Sequence, residues 1–155
     1  MAQLQKYKDD FALLLESGFI AASQTDEDAA VKLFKAAETL QPQNPMPKVG
    51  FGYIHLLKLE LNQACKKFEE VLKADPSNDM ARAMLGLSTA LTVKDAEKGE
   101  KILAEAMKNT KDASVKNMAS TAIEFVEKFV KKQPTPVQGK PKTDQHKTAK
   151  KKKGK

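Results

Sequence analysis

The chain has 155 residues, 41% of them hydrophobic, and a single cysteine, Cys65. That is enough for one core and excludes an internal disulfide, so a reducing, cytoplasmic compartment is expected. Of its 27 basic and 20 acidic residues, residues 133–155 hold eight lysines and one aspartate, so residues 1–132 carry 19 of each and the formal charge of +7 belongs to the tail.

In chain order, apolar residues at helical spacing predict a first helix over 3–22 through Leu4, Tyr7, Phe11, Leu14, Leu15, Gly18 and Ala22. Its longest apolar run, residues 11–15, follows Asp9-Asp10 and is too short for the core of an export signal. No stretch approaches the length of a membrane span. Thr25, with Asp28 three residues on, reads as an N-cap for a helix over 26–40. Residues 41–46 form a proline-bounded turn, and Pro47 suits the first turn of a third helix over 47–61. Asn62 is the expected cap of a fourth helix ending near Ala74, and Asp75-Pro76-Ser77-Asn78 is turn chemistry.

Further helices are expected over 79–91 and 95–109. Asp112 then caps a final helix over 113–132, with a stripe of Val115, Met118, Ala119, Ala122, Ile123, Val126, Phe129 and Val130. Residues 133–155 have no hydrophobic period and end in a lysine run, which predicts disorder.

One pattern recurs along this all-helical chain. Gly18, Ala30, Phe34, Ala37 and Pro42 are matched 34 residues later by Gly52, Ala64, Phe68, Val71 and Pro76. Gly86 continues the series, but Gly99, Leu103 and Ala106 arrive one residue late, so a longer turn is expected in the third unit. Glycine costs about 1 kcal/mol mid-helix relative to alanine, so each repeated glycine implies close approach of a neighbouring helix. A fixed period in this range marks stacked units.

The pattern resembles the tetratricopeptide repeat. That resemblance implies three helix hairpins in a right-handed α-solenoid over residues 1–132, closed by a C-terminal capping helix and followed by a disordered basic tail. In this family the first helix of each hairpin lines a concave, ligand-binding face. The matching positions here are Leu15, Phe19, Met46, Val49, Tyr53, Leu56, Met80, Ala83 and Leu87. Where this chain has Leu15 and Phe19, the carboxylate-clamp branch has lysine and asparagine, which argues against that branch.

The first helices are apolar almost all round, and such a helix must be covered on both sides. Either the flanking hairpins cover it, or a partner fills the groove. A short, neutral array with an apolar concave face resembles a type III secretion chaperone, most closely the needle-subunit branch. The resemblance implies a helical client, the secretion needle subunit, held in the groove against premature polymerisation. It also implies a small helical co-chaperone, for which Leu4, Tyr7 and Phe11 are the candidate surface. The alternatives are a translocator chaperone and a general interaction scaffold that fills its groove with a second copy of itself.

No cofactor, metal or catalytic constellation is expected: His55 and His146 are far apart, Cys65 sits at a core position of a helix, and no phosphate loop is present, so the chain is not read as an enzyme. The tail's lysines lack interleaved arginines or aromatics, which leaves at most weak, salt-sensitive contact with nucleic acid.

Overall fold

In a computed structural model, described for Tyr7 and residues 10–132, the chain is all α-helical. The helices are α1 (Phe11–Ser23), α2 (Glu27–Leu40), α3 (Met46–Leu57), α4 (Leu61–Ala74), α5 (Asp79–Ala90), α6 (Ala96–Asn109) and α7 (Ala113–Phe125). A 3₁₀ turn, Val93–Asp95, precedes α6, and a π-turn, Val126–Val130, extends α7. The expected start of the first helix, including Leu4, and the expected disordered tail lie outside the described residues.

Successive helices pack against each other as hairpins α1/α2, α3/α4 and α5/α6, and each second helix also packs on the first helix of the next pair. The odd-numbered helices additionally touch one another in series, with α7 packed on both α5 and α6. The molecule therefore has one layer of α1, α3, α5 and α7, backed by a second layer of α2, α4 and α6.

The repeated residues explain the pairing. A Cβ placed on Gly18 would lie 2.6 Å from the ring of Phe34, and one on Gly52 would lie 2.6 Å from Phe68, so each glycine makes room for the aromatic of its own hairpin. Phe34 also fills the gap to the next hairpin, where a Cβ on Gly50 would meet its ring at 2.5 Å. Both aromatics are fully buried, as is Leu103 in the same place of the third hairpin. In that hairpin the extra residue is absorbed by the 3₁₀ turn, and Gly99 lets α6 press directly on the backbone of Ala90.

Several boundaries differ from expectation. Thr25 is not the cap of α2. It takes the left-handed conformation (φ 65°), and Asp26 caps the helix by accepting the Ala29 amide at 3.0 Å. Leu59, one repeat later, has the same handedness (φ 57°), so α3 stops at Leu57, Glu60 occupies the cap position of α4, and Asn62 lies inside that helix. Asn78 caps α5 through the Ala81 amide, and Asp112 caps α7 through the Ser114 amide. The π-turn alters the C-terminal stripe: Val126 and Val130 are buried, but Phe129 turns outward and its ring lies 5.0 Å from that of Phe125.

A candidate partner-binding groove

Among the described residues, one concavity is a trough of about 680 Å³. One wall is the C-terminal end of α3 with the turn after it, contributing Tyr53, Leu56, Leu57 and Leu59. The floor is Leu87 and Leu91 at the end of α5, and the opposite wall is α7, through Asn117, Met118, Thr121, Ala122 and Phe125. None of these residues is charged. Both walls expose large apolar side chains at their rims: Leu57 and Phe125 are each 46% exposed and Leu59 is 69% exposed. The left-handed backbone at Leu59 ends α3 and sets this side chain at the rim; such a conformation is uncommon for a residue other than glycine.

A smaller pit of about 240 Å³ lies beside the trough, lined by Phe19, Met46, Tyr53, Met80 and Met84. Tyr53 belongs to both and separates them. Its ring packs 5.5 Å from that of Phe19, and its hydroxyl lies 3.1 Å from the Ser23 hydroxyl, so it is fixed from two directions.

The sequence-derived groove residues divide into two groups. Phe19, Met46, Tyr53, Met80 and Leu87 line one of the two concavities, and Leu15 is half-buried against the first-hairpin core. Val49 and Ala83 are fully buried and present nothing to a partner, and Leu56 is only 5% exposed where it edges the trough. The cause is packing between hairpins: Val49 and Leu56 join Ala64, Phe68, Val71 and Ala81 in one core cluster, while Ala83 is covered by Ala106 and Val115. A glutamate at position 56 would therefore disrupt the fold as well as the groove.

Sequence reasoning missed Leu59, Thr121 and Phe125, while Leu57 and Leu91, legible as apolar positions beyond the hairpin-packing face, also line the trough. The opposite wall was unexpected because the final helix was read as a cap. It does cover the third hairpin, but the face carrying Met118, Thr121 and Phe125 is turned toward α3 across the trough. The available signal was a phenylalanine outside the capping stripe, Phe125.

Of the suggested co-chaperone residues, Phe11 is buried and Tyr7 is exposed. Tyr7 borders a separate concavity of about 580 Å³ with Leu13, Leu14 and Leu40 on the outer side of α1 and α2.

The polar groups beside the trough are engaged structurally. His55 Nδ1 lies 2.6 Å from Glu60 Oε2, and Lys58 bridges Glu60 at 3.3 Å and Glu27 of the first hairpin at 3.2 Å. The hydrogen bond to His55, reinforced by Lys58, holds the Glu60 carboxyl below its ordinary value, and Glu27 and Glu60 together raise the Lys58 ammonium. Cys65 is half-buried, and burial pushes its thiol up, away from the reactive thiolate form.

No family model matches this chain, and no curated protein resembles it closely enough to count as a relative. Among the described residues, no helix is long and apolar enough to cross a membrane.

Proposed function

We propose that this chain is a holding protein that binds the apolar face of a client α-helix in the trough between α3 and α7. The observation that carries this reading is the trough itself, walled by helices on two sides, lined without a charged residue and edged by exposed Leu57, Leu59 and Phe125. Contiguous apolar surface of this kind marks an interaction site, and a helix laid in an apolar groove is a recurrent recognition mode. Each well-buried large side chain of the client would contribute roughly 1.5–3 kcal/mol. No chemical step is required.

Within that reading, the 34-residue repeat and the stacked hairpins support a tetratricopeptide-like solenoid, and the sequence resemblance favours a type III secretion chaperone that shields a needle subunit from polymerising. A translocator client is the second possibility. The exposed Phe125–Phe129 pair beside the trough favours one further reading, self-association through the same face.

Co-expression with small helical proteins encoded beside this chain, followed by light scattering, tests the proposal. A stable complex that is lost in Leu57→Glu and Phe125→Glu variants of unchanged helicity is the expected outcome. Unimpaired complex formation by both variants would remove the trough from the interface. A concentration-dependent homodimer broken by Phe125→Glu would establish self-association instead.

A further inference from the structure

We infer that Met46, Met80 and Met84 form a modification site at which peroxide, by oxidising their thioethers to sulfoxides, releases a helix held in the adjoining trough; this rests on the client-helix reading above. With Phe19 and Tyr53, these three methionines line the pit of about 240 Å³ beside the trough. A fourth, Met118, lines the trough itself and packs with Met80 on the cluster of Ala83, Ala106 and Val115. Four of the chain's six methionines are thus gathered on one face. Leucine and methionine exchange at little cost in apolar surroundings. What methionine adds is flexibility and an oxidisable sulfur.

All four side chains are half-buried, so a small oxidant reaches the sulfurs from the concavities while the chain stays folded. A sulfur lone pair attacks one oxygen of hydrogen peroxide, the S–O bond forms as the O–O bond breaks, and the proton on the transferred oxygen passes to the departing hydroxide. The thioether is oxidised by two electrons and the peroxide is reduced to water. Two thiols reverse the change, ending as a disulfide while the oxygen leaves as water. Cys65, the chain's only cysteine, competes poorly for peroxide, because burial pushes its thiol away from the thiolate form. The only polar side-chain group lining the pit is the Tyr53 hydroxyl, which lies 3.1 Å from that of Ser23. Open to water, the sulfoxides are solvated; covered by an apolar helix, they are left without donors, which weakens binding. Pit and trough form one track, since Met80, Met84, Leu87 and Leu91 follow each other on α5 at three- and four-residue spacing. From first to last they span about 16 Å, so a helix laid along α5 covers both concavities.

The test uses the full-length chain and a synthetic leucine-faced helix of about 18 residues, roughly 27 Å long. Affinity and helicity are measured before and after hydrogen peroxide, and sulfoxides are located by peptide mass mapping. Sulfoxide at Met46, Met80 and Met84, retained helicity and about tenfold weaker binding are expected, with recovery on thiol-dependent enzymatic reduction. In a variant carrying Met46→Leu, Met80→Leu and Met84→Leu, the ratio of affinities before and after peroxide should fall to near one, whatever the starting affinity. If that variant binds nothing, the three single substitutions decide, each being expected to shrink the ratio. Met107 is exposed on α6 and lines neither concavity, so Met107→Leu should respond as wild type does. Unchanged affinity once the three sulfoxides have formed overturns the inference while leaving the trough reading intact. So does a response that persists in the triple variant, or pit methionines that stay unmodified while Met107 is oxidised. Loss of binding together with helicity also overturns it, because release would then be unfolding. Failure of the unoxidised chain to bind the helix overturns both the inference and the trough reading.

Discussion

The two helix layers obey different rules. In α2, α4 and α6 a single stripe is buried: Ala30, Phe34 and Ala37, then Ala64, Phe68 and Val71, then Gly99, Leu103 and Ala106. The outer faces carry the charge. In α3 and α5, burial is spread over several faces, because each lies between two hairpins and beside its neighbours in the first layer. A second-layer residue is thus placed by its own helix's periodicity, whereas a first-layer residue is placed by whatever the next hairpin sets beside it.

Deletion in the second layer should have the largest effect. Phe68 is fully buried and faces Gly52 across its hairpin. Phe68→Ala should cost about 3–5 kcal/mol in denaturant unfolding. If it cost no more than truncation of an exposed rim leucine, the distinction between the layers would fail.

Adjacent residues of α3 give a sharper contrast. Leu56 is buried in the central cluster, while Leu57 stands at the rim. Leu56→Ala should cost about 2–4 kcal/mol, and Leu57→Ala less than about 0.5 kcal/mol. Equal losses would show that the trough is closed in solution and that Leu57 belongs to the core.

This contrast also explains what could be read from the sequence. The 34-residue period located the hairpins and the buried positions of the second layer, since Phe34, Phe68 and their companions depend on local spacing and one facing glycine. The family resemblance built on that period marked Val49, Leu56 and Ala83 as groove residues, because it transfers which positions of a first helix face the concave side and not what covers them in this chain. Phe125 was missed for the complementary reason: its neighbour across the trough, Leu57, is distant in sequence, and only the tertiary path of α7 brings the two walls together. The left-handed turns were also illegible, since neither Thr25 nor Leu59 is a residue that signals positive φ.

The turns themselves differ between hairpins, and Gly99 tests how. The first two hairpins have alanine at the matching position and three-residue turns; the third has glycine and the inserted 3₁₀ turn. A Cβ on Gly99 would fall 2.2 Å from the Ala90 amide nitrogen, which is backbone and cannot rotate away. Gly99→Ala should therefore destabilise by about 1–3 kcal/mol despite the higher helix propensity of alanine. A stabilised variant would mean that α5 and α6 are farther apart than this contact requires.

The smallest expected effect concerns the ionic link that joins the first two hairpins, through Glu27, Lys58, Glu60 and His55. Glu60 has its carboxyl lowered in the folded protein from an ordinary value of 4.5, first by His55 and then by Lys58. Because the folded value lies below the unfolded one, the ionised carboxylate contributes stability that is fully present above the unfolded value. That contribution is lost as pH falls through the folded value. Lys58 has the opposite sense: its ammonium is raised above 10.5, so its contribution holds at lower pH and fades as pH rises through the raised value. These side chains are partly exposed, so the effect should be modest and salt-sensitive. Unfolding curves of wild type and Glu60→Gln should run together well below the carboxylate range and separate as pH rises through it, with wild type gaining the more. Parallel curves across that range would mean that the His55–Glu60 contact does not persist in solution, and that the turn carrying Leu59 into the rim of the trough is held by backbone geometry alone.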